Sequence, residues 1–201
     1  NFANNPKNYR PFSKVKFLNK YKSFGLIRDF NFFLMPKLLS FRTDIDREYN
    51  ENLYRNKTEA LLIIEPTYVK KFNWNRYYDL KYDLSRGLKV DFNAQANARI
   101  DEPPGKIDKD DVDYKLKRDS IMYNVKNFGR ITNYQHSLNV NYNIPINKIP
   151  LFNWISATAR YSADFSWQAA PLYKDSLGKV VDHPYGNTIE NSNNIQLTIN
   201  S

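Results

Sequence analysis

The sequence predicts an all-β chain: an antiparallel, up-and-down transmembrane β-barrel, of which these 201 residues form an arc of about seven long strands. Three observations carry that expectation. Period-two alternation of apolar and polar residues dominates, and helical periodicity is nearly absent. The alternating segments exceed the ~5–6 residues usual for soluble strands and supply the ~9–11 that a tilted membrane strand needs. Short connections near residues 36, 86 and 150 alternate with long ones near 54, 115 and 178. In a meander this puts all short turns at one end and all long loops at the other.

The elements follow in order. Residues 1–25 read as an irregular connecting segment and 26–201 as the barrel segment. Leu26–Leu34 (LIRDFNFFL) alternates loosely as a first strand before a turn at Met35-Pro36-Lys37. Leu39, Phe41, Ile45 and Tyr49 then share one face, opposite Ser40, Arg42, Asp44, Asp46 and Glu48. From Ala60 to Leu84 one parity holds Ala60, Leu62, Ile64, Tyr68, Phe72, Trp74, Tyr78, Leu80, Tyr82 and Leu84. Pro66, Lys70 and Arg76 interrupt it, so the segment is either one long bulged strand or two pieces. Ser85-Arg86-Gly87 makes a tight turn, where Gly is expected to supply an awkward backbone angle. Leu88–Ile100 returns, and Asp101–Lys117 is a charged, Pro-bearing loop whose tail to Gly129 has no clear period. Strands over about Ile131–Ile146 and Ile155–Ala169 flank a compact connection, Asn147–Asn153. A loop over Pro171–Asn187 leads to a last strand from Thr188. The chain opens on NFANNPKNYRPF and stops inside an alternating run, as a segment of a longer chain is expected to.

Parity assigns two faces. Asp79, Lys81, Asp83, Lys89, Asp91, Asn93, Gln95, Asn97, Asn139, Asn141, Asn143, Arg160 and Asp164 are expected to face a water-filled lumen. Tyr78, Leu80, Tyr82, Leu84, Leu88, Val90, Phe92, Leu138, Val140, Tyr142, Tyr161, Phe165 and Trp167 are expected to face lipid or a partner. The polar set is neutral or mixed in sign. A passage for proteins needs few apolar holds and no strong single-sign field, either of which would trap cargo. Any solvated sheet face shares that composition, so it supports transport without proving it.

From Trp154 to Trp167 a strand at ~3.3 Å per residue rises roughly 43 Å, or about 30 Å along the normal at ~45° tilt, close to a hydrocarbon core. Trp154 falls on the polar parity, which leaves Trp167 as the one clean interfacial aromatic of that strand. On the apolar parity Ala94, Ala96, Ala98, Ala157, Ala159 and Ala163 carry little bulk. They either receive a partner's surface, sit under a neighbouring element, or are simply tolerated against lipid.

Composition excludes several classes. No Cys means no disulfide scaffold and no thiolate metal site. Lys and Arg number 30 against 21 Asp and Glu, a net charge of +9. The cations are dispersed through polar positions, which argues for a solvated surface and against a nucleic-acid footprint. No apolar run is long enough for a membrane helix. His136 and His183 lack ligand spacing, and there is no Gly-rich phosphate loop and no G-x-S-x-G elbow. His136 reads as an interfacial or hydrogen-bonded structural residue. Asp110, Asp111 and Asp113 read as a solvated acidic loop in preference to a Ca²⁺ site. No enzymatic role, metal or cofactor is expected.

Four stretches carry a resemblance: Leu34–Glu51 (LMPKLLSFRTDIDREYNE), Tyr78–Pro103 (YDLKYDLSRGLKVDFNAQANARIDEP), Asn143–Pro171 (NIPINKIPLFNWISATARYSADFSWQAAP) and Gly186–Leu197 (GNTIENSNNIQL). In this order they resemble the SprA/Sov family, the outer-membrane translocon of the type 9 secretion system of Bacteroidetes. The resemblance implies a giant single-chain barrel in a Gram-negative outer membrane that passes cargo proteins from periplasm to cell surface. It also implies a smaller outer-membrane barrel protein at a lateral opening, a periplasmic plug protein and the lipid bilayer as partners, and no nucleic acid. Two other readings are open: a different large barrel of the TonB-dependent type, or a soluble β-sandwich binding module.

Overall fold

Alternation forces an extended backbone wherever the two faces of a segment meet different surroundings, and most of this chain is built that way. The computed structural model describes residues 1–20, 24–54, 65–174, 180–181 and 186–200. In chain order the elements are β1 (Phe2–Ala3), β2 (Asn8–Tyr9), α1 (Lys16–Lys20), α2 (Gly25–Arg28), β3 (Phe32–Phe33), β4 (Leu38–Asn52), β5 (Thr67–Asp83), β6 (Leu88–Arg99), α3 (Tyr114–Lys126), β7 (Arg130–Ile144), β8 (Ser156–Gln168), β9 (Tyr173–Lys174), β10 (Val180–Val181) and β11 (Thr188–Asn200). One antiparallel sheet of seven strands runs β1-β4-β5-β6-β7-β8-β11. Each long strand pairs with the next long strand in sequence, so the sheet is an uninterrupted meander. Two-residue pairs β2–β3 and β9–β10 stand apart from it.

The seventh strand is not the one expected. Leu26–Leu34 holds the one-turn helix α2 and the two-residue β3, and the seventh strand is the stub β1, which pairs Phe2 with Leu39 and Ala3 with Leu38. The loose alternation there places Phe30, Phe32 and Phe33 among other aromatic rings and not in a ladder: Tyr9 stacks on Phe32 at 5.8 Å, and Phe12 lies 6.2 Å from Phe30. Six long strands of 12 to 17 residues remain. β5 begins directly after Pro66, whose missing N–H cannot join a ladder, and runs unbroken through Lys70 and Arg76. Ala60, Leu62 and Ile64 lie outside the described residues.

The described residues before Leu38 gather at the short-turn end. Lys37 N–H donates to Lys81 O at 2.8 Å and Phe33 N–H to Leu84 O at 3.1 Å. Asn31 accepts from the Arg86 amide at 2.8 Å and from Asn8 at 3.1 Å. Asp29 is held by Arg28 at 3.0 Å and by Lys148 from the β7–β8 connection. That connection contains two 3₁₀ turns, Ile146–Lys148 and Pro150–Phe152. Trp154 therefore lies in it, exposed, and β8 starts at Ser156. At ~3.3 Å per residue, 13 residues still span roughly 40 Å.

The β5–β6 turn corrects the role expected of Gly87. Its backbone does not enter the left-handed region; Gly105, Gly129 and Phe128 do. What Gly87 supplies is space, because a Cβ there would meet Asn143 O at 2.9 Å, and Asn143 N–H donates to Gly87 O at 2.7 Å. Ser85 shapes the turn instead, its hydroxyl accepting from the amides of Gly87 (3.2 Å) and Leu88 (3.0 Å).

At the other end lies α3, which alternation could not reveal. It buries no residue, so its apolar side chains form no stripe for a 3.6-residue period to show. It is tied back by Asn124, which donates to Asp101 O at 2.7 Å, and by Arg130, which pairs with Asp101 at 3.0 Å. It ends in Phe128 and Gly129 at φ of 60° and 70°. Gly129 N–H reaches back to Asn124 O at 2.8 Å, closing the helix end as glycine after a last turn commonly does. No helix among the described residues is long and apolar enough to cross a membrane, which says nothing of strands.

Candidate functional site: a polar trough backed by an apolar wall

The pairing register turns per-strand parity into two continuous faces. One row across the sheet reads Leu38, Lys81, Asp91, Asn139, Ser162, Asn194; the next reads Ser40, Asp79, Asn93, Ser137, Asp164, Ser192. Asp83, Lys89, Asn141 and Arg160 align in another row, Asn143 faces Thr158, and Gln95 and Asn97 face Gln135 and Asn133. Every residue expected in the lumen thus shares one face. The opposite rows read Leu39, Leu80, Phe92, Leu138, Ala163 and, towards the short turns, Tyr82, Val90, Val140, Tyr161, Ile195. Tyr78, Leu88, Tyr142, Phe165 and Trp167 fall in register with them. Leu84 sits just beyond the end of β5.

The polar face is hollow. A trough of about 950 Å³ is lined by residues of all six long strands, among them Arg42, Asp79, Gln95, Gln135, Asp164 and Glu190. Strands lie ~4.8 Å apart, so six cover roughly 24 Å, and one concavity can touch all of them only if the sheet curls around it. The curl is therefore towards the polar side. Of the expected lumen residues, Asp79, Asn93, Gln95 and Asp164 line the trough; the rest extend its face, mostly towards the short turns. Ser40 and Arg42, which the alternation of β4 puts on this face, also line it, with Tyr77, Gln135, Ser137, Ser166, Glu190 and Ser192, and with Phe41, Ala94, His136 and Phe165 of the opposite parity. Parity in the neighbouring strands carried that information. Tyr77, an aromatic at a polar position, is explained by Arg42, whose guanidinium carbon stands 4.2 Å from its ring centroid.

The apolar-parity face carries no second sheet among the described residues, but both its ends are overlaid: Phe128 packs on Trp74 and Arg76, Arg47 pairs with Glu102 of the β6–α3 loop, and the Tyr82 hydroxyl donates to Phe33 O. Phe41, Ile45 and Ile195 are 55%, 59% and 78% exposed. An aromatic band crosses its long-loop half. Phe41 lies 5.2 Å from Tyr78; His136 packs at 5.1 Å on Phe165, 5.5 Å from Tyr134 and 5.8 Å from Phe92; Trp74 lies 5.4 Å from Phe128. Trp167 is Tyr134's cross-strand partner, so the band is fuller than one strand's parity indicated. His136 differs from expectation in one respect: its Nδ1 is buried without a hydrogen-bond partner among the described residues. Ala94, Ala96 and Ala98 are buried by this chain's own flanking side chains, with Arg76 and Tyr134 the cross-strand neighbours of Ala96. A bulge in β7 at Thr132 brings Ile131 opposite Ala98 and onto the same face.

The charged loop after β6 folds back on the apolar-parity side of β4 and β5, where Arg47 pairs with Glu102 at 2.7 Å and Lys70 donates to Pro103 O at 2.7 Å. Asp108 is held below the usual carboxylate range by hydrogen bonds from Lys106 and the Asp110 amide, and Lys117 stands 3.7 Å from Asp111. At the short-turn end Asp29 is pulled to about 2, chiefly by its hydrogen bond from Arg28 and then by Lys148. His183 lies outside the described residues. No family model matches the chain, and a search of curated proteins finds no relative.

Proposed function

We propose that this chain is a wall segment of a large outer-membrane β-barrel that conducts proteins from the periplasm to the cell surface, the translocon role carried by the SprA/Sov family it resembles. The observation that carries the reading is the curl: a long-stranded meander bends around a polar, mixed-charge trough and turns its apolar-parity face, which bears no second sheet among the described residues, outward. In water, contiguous exposed apolar surface of this extent invites association; in a bilayer it is the surface the solvent demands. Strands of 12 to 17 residues suit a tilted crossing. A sheet in lipid must satisfy its edges, which β11 and the upper part of β4 achieve by pairing with further strands of a closed barrel. A β-sandwich module requires a second sheet over the apolar face, and the described residues contain only two-residue pairs besides the main sheet.

Cargo proteins, a smaller partner barrel and a plug belong to the same proposal. The trough wall acts as a passive conduit with no chemical step. The test is site-specific photocrosslinking in cells from Asn93 and Asp164 on one side and Leu138 and Val140 on the other, with a secreted cargo stalled in transit. Cargo adducts from the first pair alone are expected; adducts from the second pair, or from neither, contradict a protein-conducting lumen on the polar face.

A further inference from the structure

Two buried side-chain nitrogens lack a hydrogen-bond partner among the described residues, Arg76 Nε and His136 Nδ1, and both border the alanine stripe of β6 on the apolar face. Arg76 pairs across the ladder with Ala96, and His136 with Ala94. Arg76 is the stronger signal. It is 9% exposed, the one charged residue in the buried set, and makes no ion pair among the described residues. Its guanidinium carbon lies 5.4 Å from the ring centroid of Phe128 and 5.9 Å from that of Trp74. Cation–π contacts offset part of the cost of burying a charge, yet rings accept no hydrogen bond from the guanidinium edge.

The surroundings are arranged around that cation. Phe128 holds its ring there from a left-handed backbone at φ 60°, a conformation bulky residues avoid. Thr43, Arg76's partner on β4, accepts a hydrogen bond from the Trp74 indole at 2.5 Å, which leaves its own hydroxyl hydrogen to donate. An arginine and a hydroxyl side by side, with no anion paired to them among the described residues, suit phosphate oxygens. Arg76 lies seven residues from the short-turn end of β5, with the rings of Trp74 and Phe128 beside it.

We infer that Arg76, with Thr43, binds the phosphate of a membrane lipid whose acyl chains lie down the apolar face over Phe92 and Leu138. The site rests on the membrane reading above. Lipid phosphates sit at the depth of an aromatic band, and a charge that costs several kcal/mol at a bilayer midplane costs little near the interface. A bound headgroup of this kind fixes the height of the wall in the membrane.

The test uses the full-length chain purified in detergent and two photoactivatable phosphatidic acids, one with its diazirine next to the phosphate and one with it at the acyl terminus. The headgroup probe is expected to label Trp74–Tyr78 or Phe128, and the acyl probe to label the Leu80, Val90 and Val140 region. Arg76→Gln is expected to weaken phosphatidic acid retention in native mass spectrometry by about tenfold, and Arg76→Lys by less, because the forked geometry is lost while the charge remains. Phosphatidylcholine is expected to be retained equally by all three proteins. Acyl labelling without headgroup labelling at Arg76 overturns this site and leaves the membrane wall standing; no acyl labelling of the apolar face overturns the membrane reading itself. Inorganic phosphate displacing the lipid at equal concentration assigns the site to free phosphate and overturns the lipid. Headgroup labelling of the wild-type chain decides the matter even where Arg76→Gln fails to fold.

Discussion

Single residues explain the corners of this sheet. Gly129 combines a left-handed backbone with a close approach, since a Cβ would stand 2.9 Å from Arg99 O. Gly129→Ala is expected to destabilise the α3–β7 junction by about 2 kcal/mol or more, read as a lower midpoint in urea-dependent gel mobility of the full chain. Gly87→Ala is expected to act by sterics alone, shifting β6 against β7 at Asn143. Asp29 gives the short-turn end its pH dependence. Its folded value of about 2 lies below the unfolded carboxylate range of ~3.9, so its contribution is complete above about pH 4 and is lost as pH falls towards about 2. Hydrogen exchange at Asn31–Phe33 is expected to accelerate over that window, and Asp29→Asn to remove the dependence. The pair is partly exposed, so the change in exchange is expected to be modest.

At the scale of the element, a strand whose faces meet different solvents is sensitive to charge by parity. Val140→Arg is expected to cost about 2–4 kcal/mol in the membrane-inserted protein, and Asn141→Arg, one residue on, close to nothing. Assembly yield and heat-dependent mobility of the two variants check the contrast. The same parity made the strands legible in sequence: the row Leu80, Phe92, Leu138 was readable before any register was known, because each residue alternates with a hydrated neighbour. Legibility failed where burial is not periodic. α3 has no packed stripe, and its placement depends on Asp101, Arg130 and the Phe128–Gly129 pair, which are tertiary facts. Leu26–Leu34 contains enough aromatics to alternate by composition, but they pack on Tyr9 and Phe12 from the preceding segment. Arg76 interrupted an apolar parity in sequence and left one long bulged strand or two pieces open; the structure places it inside an unbroken strand, between the rings of Trp74 and Phe128.

Across the whole molecule the distinctive quantity is curvature with a sign. Seven strands paired in sequence order could be flat, or could curl towards either face. They curl towards Asp79, Asn93, Gln95 and Asp164, which makes the mixed-charge face the inside and the aromatic and aliphatic face the outside. Parity alone is symmetric between the two sides of a sheet, so the sequence puts the polar face inside only by way of the membrane reading. The proposed barrel wall, with water inside and lipid outside, rests on that sign; the N-terminal segment lies at one end of the sheet and α3 at the other.

The sharpest check is paired cysteine accessibility along β6 and β7 of the full-length chain in native membranes. Asn93→Cys, Asn139→Cys and Asn141→Cys are predicted to react with a membrane-impermeant maleimide, while Phe92→Cys, Leu138→Cys and Val140→Cys resist it and are quenched by a lipid-phase nitroxide. Equal reactivity of both sets, or quenching of the Asn93 set in place of the Phe92 set, contradicts a wall with water inside and lipid outside.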